Sequence, residues 1–143
     1  MILEIVGKGP ARKSLEERAK NLKIESVKFY ESLPQKELVQ KYVNADVFVL
    51  PSQFETYAIV VAEALAAGTP CIVSRTSALN EWIDDETCFG VDYPIRIDEL
   101  VKKINYVFDY FADRDKMKKW IGSKIVDWDY VTEKLEKIYN GSL

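Results

Sequence analysis

A chain of 143 residues that is 48% hydrophobic is long and apolar enough to bury one domain's core, and too apolar for a disordered segment. Its formal net charge of −3 leaves no basic footprint for nucleic acid. With no histidine and only two cysteines, it offers no zinc site and no Ser-His or Cys-His catalytic pair.

Ile2-Leu3-Glu4-Ile5-Val6 reads as a buried strand that runs into the turn Gly7-Lys8-Gly9-Pro10. Leu15, Ala19 and Leu22 then recur at i, i+4, i+7, the period of a helix. Val27-Lys28-Phe29-Tyr30 reads as a second strand, and Pro34 opens a second helix in which Leu38, Tyr42 and Val43 share a face. Asp46-Val47-Phe48-Val49-Leu50 is a third strand, apolar after its first residue, the pattern of a parallel strand covered on both faces. Pro51-Ser52 ends it, Tyr57 to Ala67 forms a helix, and Gly68 is its C-terminal cap. Cys71-Ile72-Val73-Ser74 is a fourth strand, followed by a helical turn around Ala78 to Ile83 and a short strand at Phe89-Gly90-Val91. From Ile97 the pattern is helical, with Leu100, Ile104, Val107, Phe108 and Phe111 on one stripe. Further helical segments fall at about 114–125 and 129–139, where Trp120, Trp128 and Tyr139 are placed to dock them as core.

Strands alternating with helices of about ten residues predict an α/β fold, a Rossmann-like doubly wound parallel sheet with the C-terminal helices packed on it. Right-handed crossovers gather the loops after each strand along one edge, where ligands of such sheets bind. Those loops are Gly7–Pro10, Tyr30–Pro34, Pro51–Tyr57 and Ser74–Leu79. Cys71 and Cys88 both lie in apolar runs and read as reduced, buried small hydrophobes. Met1-Ile2-Leu3 meets Glu4 at once, too short for a signal peptide, and no run reaches the ~20 apolar residues of a membrane span. The expectation is a single cytoplasmic domain over residues 1–143.

The helix from Tyr57 to Ala67 contains one anomaly. Glu63 is flanked by Val60, Val61, Ala62, Ala64, Leu65, Ala66 and Ala67, so the helix is apolar nearly all round and should be largely buried. A carboxylate there needs a partner or a ligand, and two adjacent hydroxyls of a ribose suit it. Glu55 precedes it by eight residues, roughly 12 Å if helical, a length that brackets one nucleotide-sugar ligand. Between them the amides of Thr56, Tyr57 and Ala58 stand at a helix N-terminus, which favours an anion such as a diphosphate. Each glutamate also has a structural alternative: Glu55 as a carboxylate that favours the helix dipole, Glu63 as the partner of an Arg or Lys.

The segment Pro51 to Pro70 resembles the E-x7-E motif of retaining GT-B glycosyltransferases, in particular the large family 4, or group 1. The likeness extends along nearly the whole chain. Ile5-Val6-Gly7-Lys8-Gly9-Pro10 is similar to the family's strand ending in G-x-G-P, and Val27-Lys28-Phe29 with Leu33 to its next strand and loop. Ala45 to Ser52 and Glu63 to Pro70 are close to its "ADVFVLPS" and "EAMAAGTPV" segments, and Trp128 to Tyr139 resembles its final helix.

The resemblance implies a donor-binding domain, the C-terminal half of a GT-B fold, that holds a nucleotide-diphosphate sugar. Glu55 would act at the catalytic centre by bonding the hydroxyls of the transferred sugar. The backbone at Thr56, Tyr57 and Ala58 would hold sugar and diphosphate, and Glu63 the ribose. The loop with Tyr30, Leu33 and Gln35 would contact the base. No metal and no cofactor are implied, and the anomeric configuration is retained by same-face attack. The acceptor would be held by an N-terminal Rossmann domain or a separate subunit, which this chain lacks together with the family's first strand-helix unit and its Arg and Lys clamp. The chain alone is therefore expected to be inactive.

This sequence departs from the family's E-G-F-G, since Glu55-Thr56-Tyr57-Ala58 replaces both glycines. Glycine permits close backbone approach to a ligand, so Thr56 and Ala58 narrow the sugar pocket or shift the donor. The competing reading is a degenerate, non-catalytic module that binds a nucleotide sugar or a partner chain. A dehydrogenase-type GxGxxG is absent, because Gly9 is followed by Pro10. Arg75 reads as a solvated side chain, with a phosphate contact as the second reading. The Lys102-Lys103 and Lys116-Lys118-Lys119 clusters read as solvated helix faces, with peripheral contact to the inner face of an anionic membrane as their second reading.

Overall fold

Among the described residues each apolar run read as a strand contains one, and each stretch of helical period contains helix. The structure, a computed structural model, describes residues 1–111, 118–121 and 128–139. In chain order the elements are β1 (Leu3–Val6), α1 (Arg12–Asn21), β2 (Val27–Tyr30), α2 (Gln35–Asn44), β3 (Phe48–Leu50) and α3 (Ile59–Ala66). They continue with β4 (Cys71–Ser74), a 3₁₀ helix (Ser77–Trp82), β5 (Cys88–Val91), α4 (Ile97–Tyr110) and α5 (Trp128–Tyr139). The chain falls into two compact units, Met1–Gln40 and Lys41–Leu143. Among the described residues no helix is long and apolar enough to cross a membrane.

In the first unit β1 and β2 pair in parallel, from Leu3 opposite Val27 to Val6 opposite Tyr30, with α1 as the crossover. None of its residues is fully buried. Leu15 and Leu22 of the α1 stripe stand exposed, and only Ala19 is half-buried. The Arg12 guanidinium lies 5.9 Å from the centre of the Phe29 ring, a cation–π contact between α1 and β2.

The second unit is built on the parallel sheet β3-β4-β5. Phe48 faces Cys71 in the register, and Cys71 faces Cys88. All four residues of β4 and all four of β5 are buried, whereas β3 is only half-buried. The expected double coverage thus belongs to β4 and β5, not to β3. Phe89 of β5 meets the rings of Tyr106, Tyr110 and Phe111 edge-on, with centroids 5.7, 6.3 and 6.1 Å away. Burying such a ring stabilises the fold by about 2–3 kcal/mol and seats α4 against β5. Val107 and Phe111 are buried on the expected α4 stripe, and Val61, Ala64 and Leu65 form the covered face of α3.

Cys71 and Cys88 are buried free thiols, as read from their apolar runs. Burial first, and then the neighbouring Cys88, pushes the Cys71 thiol well above its ordinary value, so it stays protonated and inert. Of the expected segment 114–125 the structure describes residues 118–121, which are helical. Trp120 there is half-buried, and the side chains of Trp128 and Tyr139 lie outside the described residues.

Because β3, β4 and β5 are parallel, their carboxyl ends share one edge. Three segments leave that edge: residues 51–58, 75–77 and 92–96.

Candidate functional site

The segment after β3 does not enter its helix where the apolar pattern suggests. Ala58 adopts the left-handed conformation, φ 60° and ψ 53°, and α3 begins at Ile59 rather than at Tyr57. A left-handed residue cannot be part of a right-handed helix, and for alanine it costs on the order of 1 kcal/mol. The amides of Thr56 and Tyr57 therefore lie in a loop, with Ala58 as the N-cap. Val61 donates its amide to the Ala58 carbonyl at 2.8 Å, closing the first turn. Phe54, Tyr57 and Ile59 rim this loop and are exposed.

Glu55 is half-buried and held from two sides. Ser52 Oγ donates to its Oε1 at 2.8 Å, and its own amide donates to Ser77 Oγ at 2.9 Å. The Ser52 carbonyl accepts in turn from Ser74 Oγ and, at 3.1 Å, from Thr76 Oγ1. Trp82 Nε1 donates to the Tyr57 carbonyl at 2.9 Å, and its ring meets Tyr57 edge-on at 5.7 Å. The connection from β4 to β5 thus braces the connection from β3 to α3 along residues 52–57.

Glu63 stands in the middle of α3, and its carboxylate accepts a hydrogen bond from the phenol of Tyr42, Oη to Oε2 3.2 Å. The helix is not buried all round as its composition suggests: Ile59 and Ala66 are exposed, and Glu63 is half-buried at the boundary. The Tyr42 donor is a neutral hydroxyl, contributed by α2. Tyr42 is buried, and burial first, then the negative charge of Glu63, raises its pKa above the ordinary tyrosine range. The phenol therefore keeps its proton and remains a donor. Its ring meets Phe48 edge-on at 5.5 Å, and its carbonyl accepts from Thr69 Oγ1.

The residues expected at the base lie in the first unit. Tyr30 ends β2 and donates its hydroxyl to Glu4 Oε1 at 3.1 Å; Leu33 is half-buried in the loop, and Gln35 is the exposed first residue of α2. Arg75 is exposed, as expected of a solvated side chain, and it is also paired. Its guanidinium lies 3.7 Å from Asp85 and 3.6 Å from Asp92, across Gly90, where a Cβ would meet it at 2.6 Å.

Four residues of the site were not singled out from the sequence: Tyr42, Ser52, Ser77 and Trp82. Tyr42 read as part of a core face, which it is, but its hydroxyl end reaches Glu63. Ser77 and Trp82 act through contacts between segments far apart in the chain, and Ser52 through a loop contact three residues long, none of which periodicity reveals.

The profile of the family "Glycosyl transferases group 1" matches residues 1–121. An uncharacterized glycosyltransferase of Methanocaldococcus jannaschii is 32% identical over 142 residues, 96% of this chain and 36% of that protein. A GDP-mannose-dependent alpha-(1-6)-phosphatidylinositol dimannoside mannosyltransferase of Mycobacterium tuberculosis is 41% identical over 81 residues, 57% of this chain and 21% of that protein. Among solved structures, a sucrose-phosphate synthase from Thermosynechococcus elongatus superposes on 97% of this chain with a TM-score of 0.73 at 25% identity, using 38% of its own length. The chain thus spans little more than a third of these relatives at most.

Proposed function

This chain belongs to the group 1 glycosyl transferases, and we propose that its Glu55–Glu63 segment holds a nucleotide-diphosphate sugar for transfer with retention at the anomeric carbon. One observation carries the reading. Both carboxylates lie on the single connection between β3 and β4, and each is oriented by a hydroxyl, that of Ser52 three residues before Glu55 and that of Tyr42 on α2 for Glu63. Carboxylates fixed before a ligand arrives lose less freedom on binding it.

In this reading Glu63 accepts hydrogen bonds from the two hydroxyls of the ribose. Glu55 accepts from hydroxyls of the transferred sugar. The amides of Thr56, Tyr57 and Ala58, beside the positive end of α3, face the diphosphate. Negative charge gathers on the leaving diphosphate as the glycosidic bond breaks, and these fixed dipoles stabilise it without a protein nucleophile or a metal. A second Rossmann domain or subunit presents the acceptor. Ala58 keeps a backbone conformation natural to glycine while adding a buried methyl group.

Ligand-detected NMR on this chain with a panel of UDP, GDP and ADP sugars tests the reading. Saturation transfer to the ribose and sugar protons of at least one of them is expected. Absence of transfer to every donor in the panel at millimolar concentration contradicts it.

A further inference from the structure

Two of the four described non-glycine residues with positive φ flank Glu55: Ala58 at 60° and Ser77 at 38°. A residue with a side chain occupies this region at a cost on the order of 1 kcal/mol and stays there only where its surroundings hold it. Ser77 opens the 3₁₀ helix after β4, and its Oγ accepts the backbone amide of Glu55, 22 residues upstream, at 2.9 Å.

We propose that Ser77 is a positioning residue for the sugar-holding carboxylate, acting through the Glu55 amide. The proposal rests on the donor-binding reading above and assigns a part of the site that the two glutamates alone do not supply. Glu55 is fixed at two points: its carboxylate by Ser52 and its backbone by Ser77. Ser52 is itself anchored through its carbonyl by Ser74 and Thr76. Three hydroxyls in a span of four residues, Ser74, Thr76 and Ser77, therefore secure the stretch from Ser52 to Glu55. Of these, only Ser77 grips the glutamate itself. Loss of that grip frees the Glu55 backbone to shift, and a displacement on the order of 1 Å is enough to spoil an oriented contact. Glu63 hangs on a different support, Tyr42, and is left in place. The consequence is selective: Trp82 still holds the Tyr57 backbone and Tyr42 still holds Glu63, so the sugar end of the ligand loses its partner while the diphosphate and the ribose keep theirs.

Ser77→Ala removes the acceptor and leaves the backbone conformation, and Ser77→Gly removes the acceptor together with the strain, so that at least one variant folds. For each, affinity is measured for a nucleotide sugar and for the matching nucleoside diphosphate, and amide hydrogen exchange is followed at Glu55. Both variants should weaken the nucleotide sugar roughly five- to ten-fold, the loss of about one hydrogen bond, and leave the diphosphate within two-fold. Exchange at the Glu55 amide should accelerate. Ser77→Asn, whose side-chain carbonyl accepts the same amide and which tolerates a left-handed backbone, should recover part of the sugar affinity. A merely structural role for Ser77 moves both affinities together, and that result overturns the proposal, as does an unchanged sugar affinity. A wild-type chain that binds neither ligand overturns the donor-binding reading and this proposal with it, whereas wild-type binding insensitive to Ser77 overturns this proposal alone.

Discussion

The phenol of Tyr42, on α2, donates to the Oε2 of Glu63, on α3, at 3.2 Å. One side chain thus serves the core, through its ring against Phe48, and the site, through its hydroxyl. Tyr42→Phe keeps the ring and deletes the donor. It should cost about 1 kcal/mol in urea unfolding and weaken nucleoside diphosphate binding several-fold. Burial and the Glu63 charge raise the folded-state pKa of Tyr42, so its contribution is complete below the ordinary tyrosine pKa and lost as pH rises above it. The alkaline fall in stability should be shallower in Tyr42→Phe, measured as unfolding midpoints across the alkaline range.

Ala58 holds a left-handed backbone that glycine adopts without strain. Ala58→Gly should raise stability by roughly a few tenths of a kcal/mol, the strain relieved slightly outweighing the extra freedom of glycine in the unfolded chain. Thermal unfolding checks this, and a lower midpoint would show that the buried Ala58 methyl matters more than the strain.

Gly68 closes α3 at φ 77°, and a Cβ there would stand 2.6 Å from the backbone oxygen of Lys118. Both the conformation and the space require glycine. Gly68→Ala should destabilise by about 2–3 kcal/mol, read in the same unfolding measurement.

Asp84 ties the turn before β5. Its Oδ1 accepts the amides of Glu86, Thr87 and Cys88 at 2.9, 2.7 and 2.9 Å, and its Oδ2 accepts Thr87 Oγ1 at 2.7 Å. Partial burial works to raise its pKa, but these hydrogen bonds outweigh it and the net shift is downward. A lowered folded-state pKa gives stability that is present above the ordinary carboxylate pKa and lost as pH falls through the folded one. Asp84→Asn should cost about 1 kcal/mol at neutral pH, given the exposure of the turn, and reduce the loss of stability below about pH 4.

The order of elements is legible in the sequence because local patterns set it. β2 and β4 begin and end where the apolar runs do, and Gly68 caps α3 as glycine after an alanine-rich helix should. The start of α3 is not legible, because a left-handed Ala58 leaves no composition signal where a glycine would have left one. The coverage of β3 is misjudged for a different reason: an apolar run records what a strand can bury, not what packs against it. Glu63 stands out in sequence as a carboxylate among alanines and valines, yet its partner Tyr42 comes from 21 residues upstream. Glu55 is held by Ser77 from 22 residues downstream, a contact that only the parallel pairing of β3 and β4 brings about.

The central claim is that the Glu63 carboxylate grips the ribose of a nucleotide sugar. Isothermal calorimetry with a nucleoside diphosphate and its 2′,3′-dideoxy analogue, on the wild-type chain and on Glu63→Ala, tests it most directly. Wild type should bind the parent ligand more tightly than the analogue by roughly ten-fold or more, as for hydrogen bonds to a charged group, and Glu63→Ala should bind the two alike. A wild-type chain indifferent to the ribose hydroxyls, or a Glu63→Ala variant that still prefers them, would contradict the account.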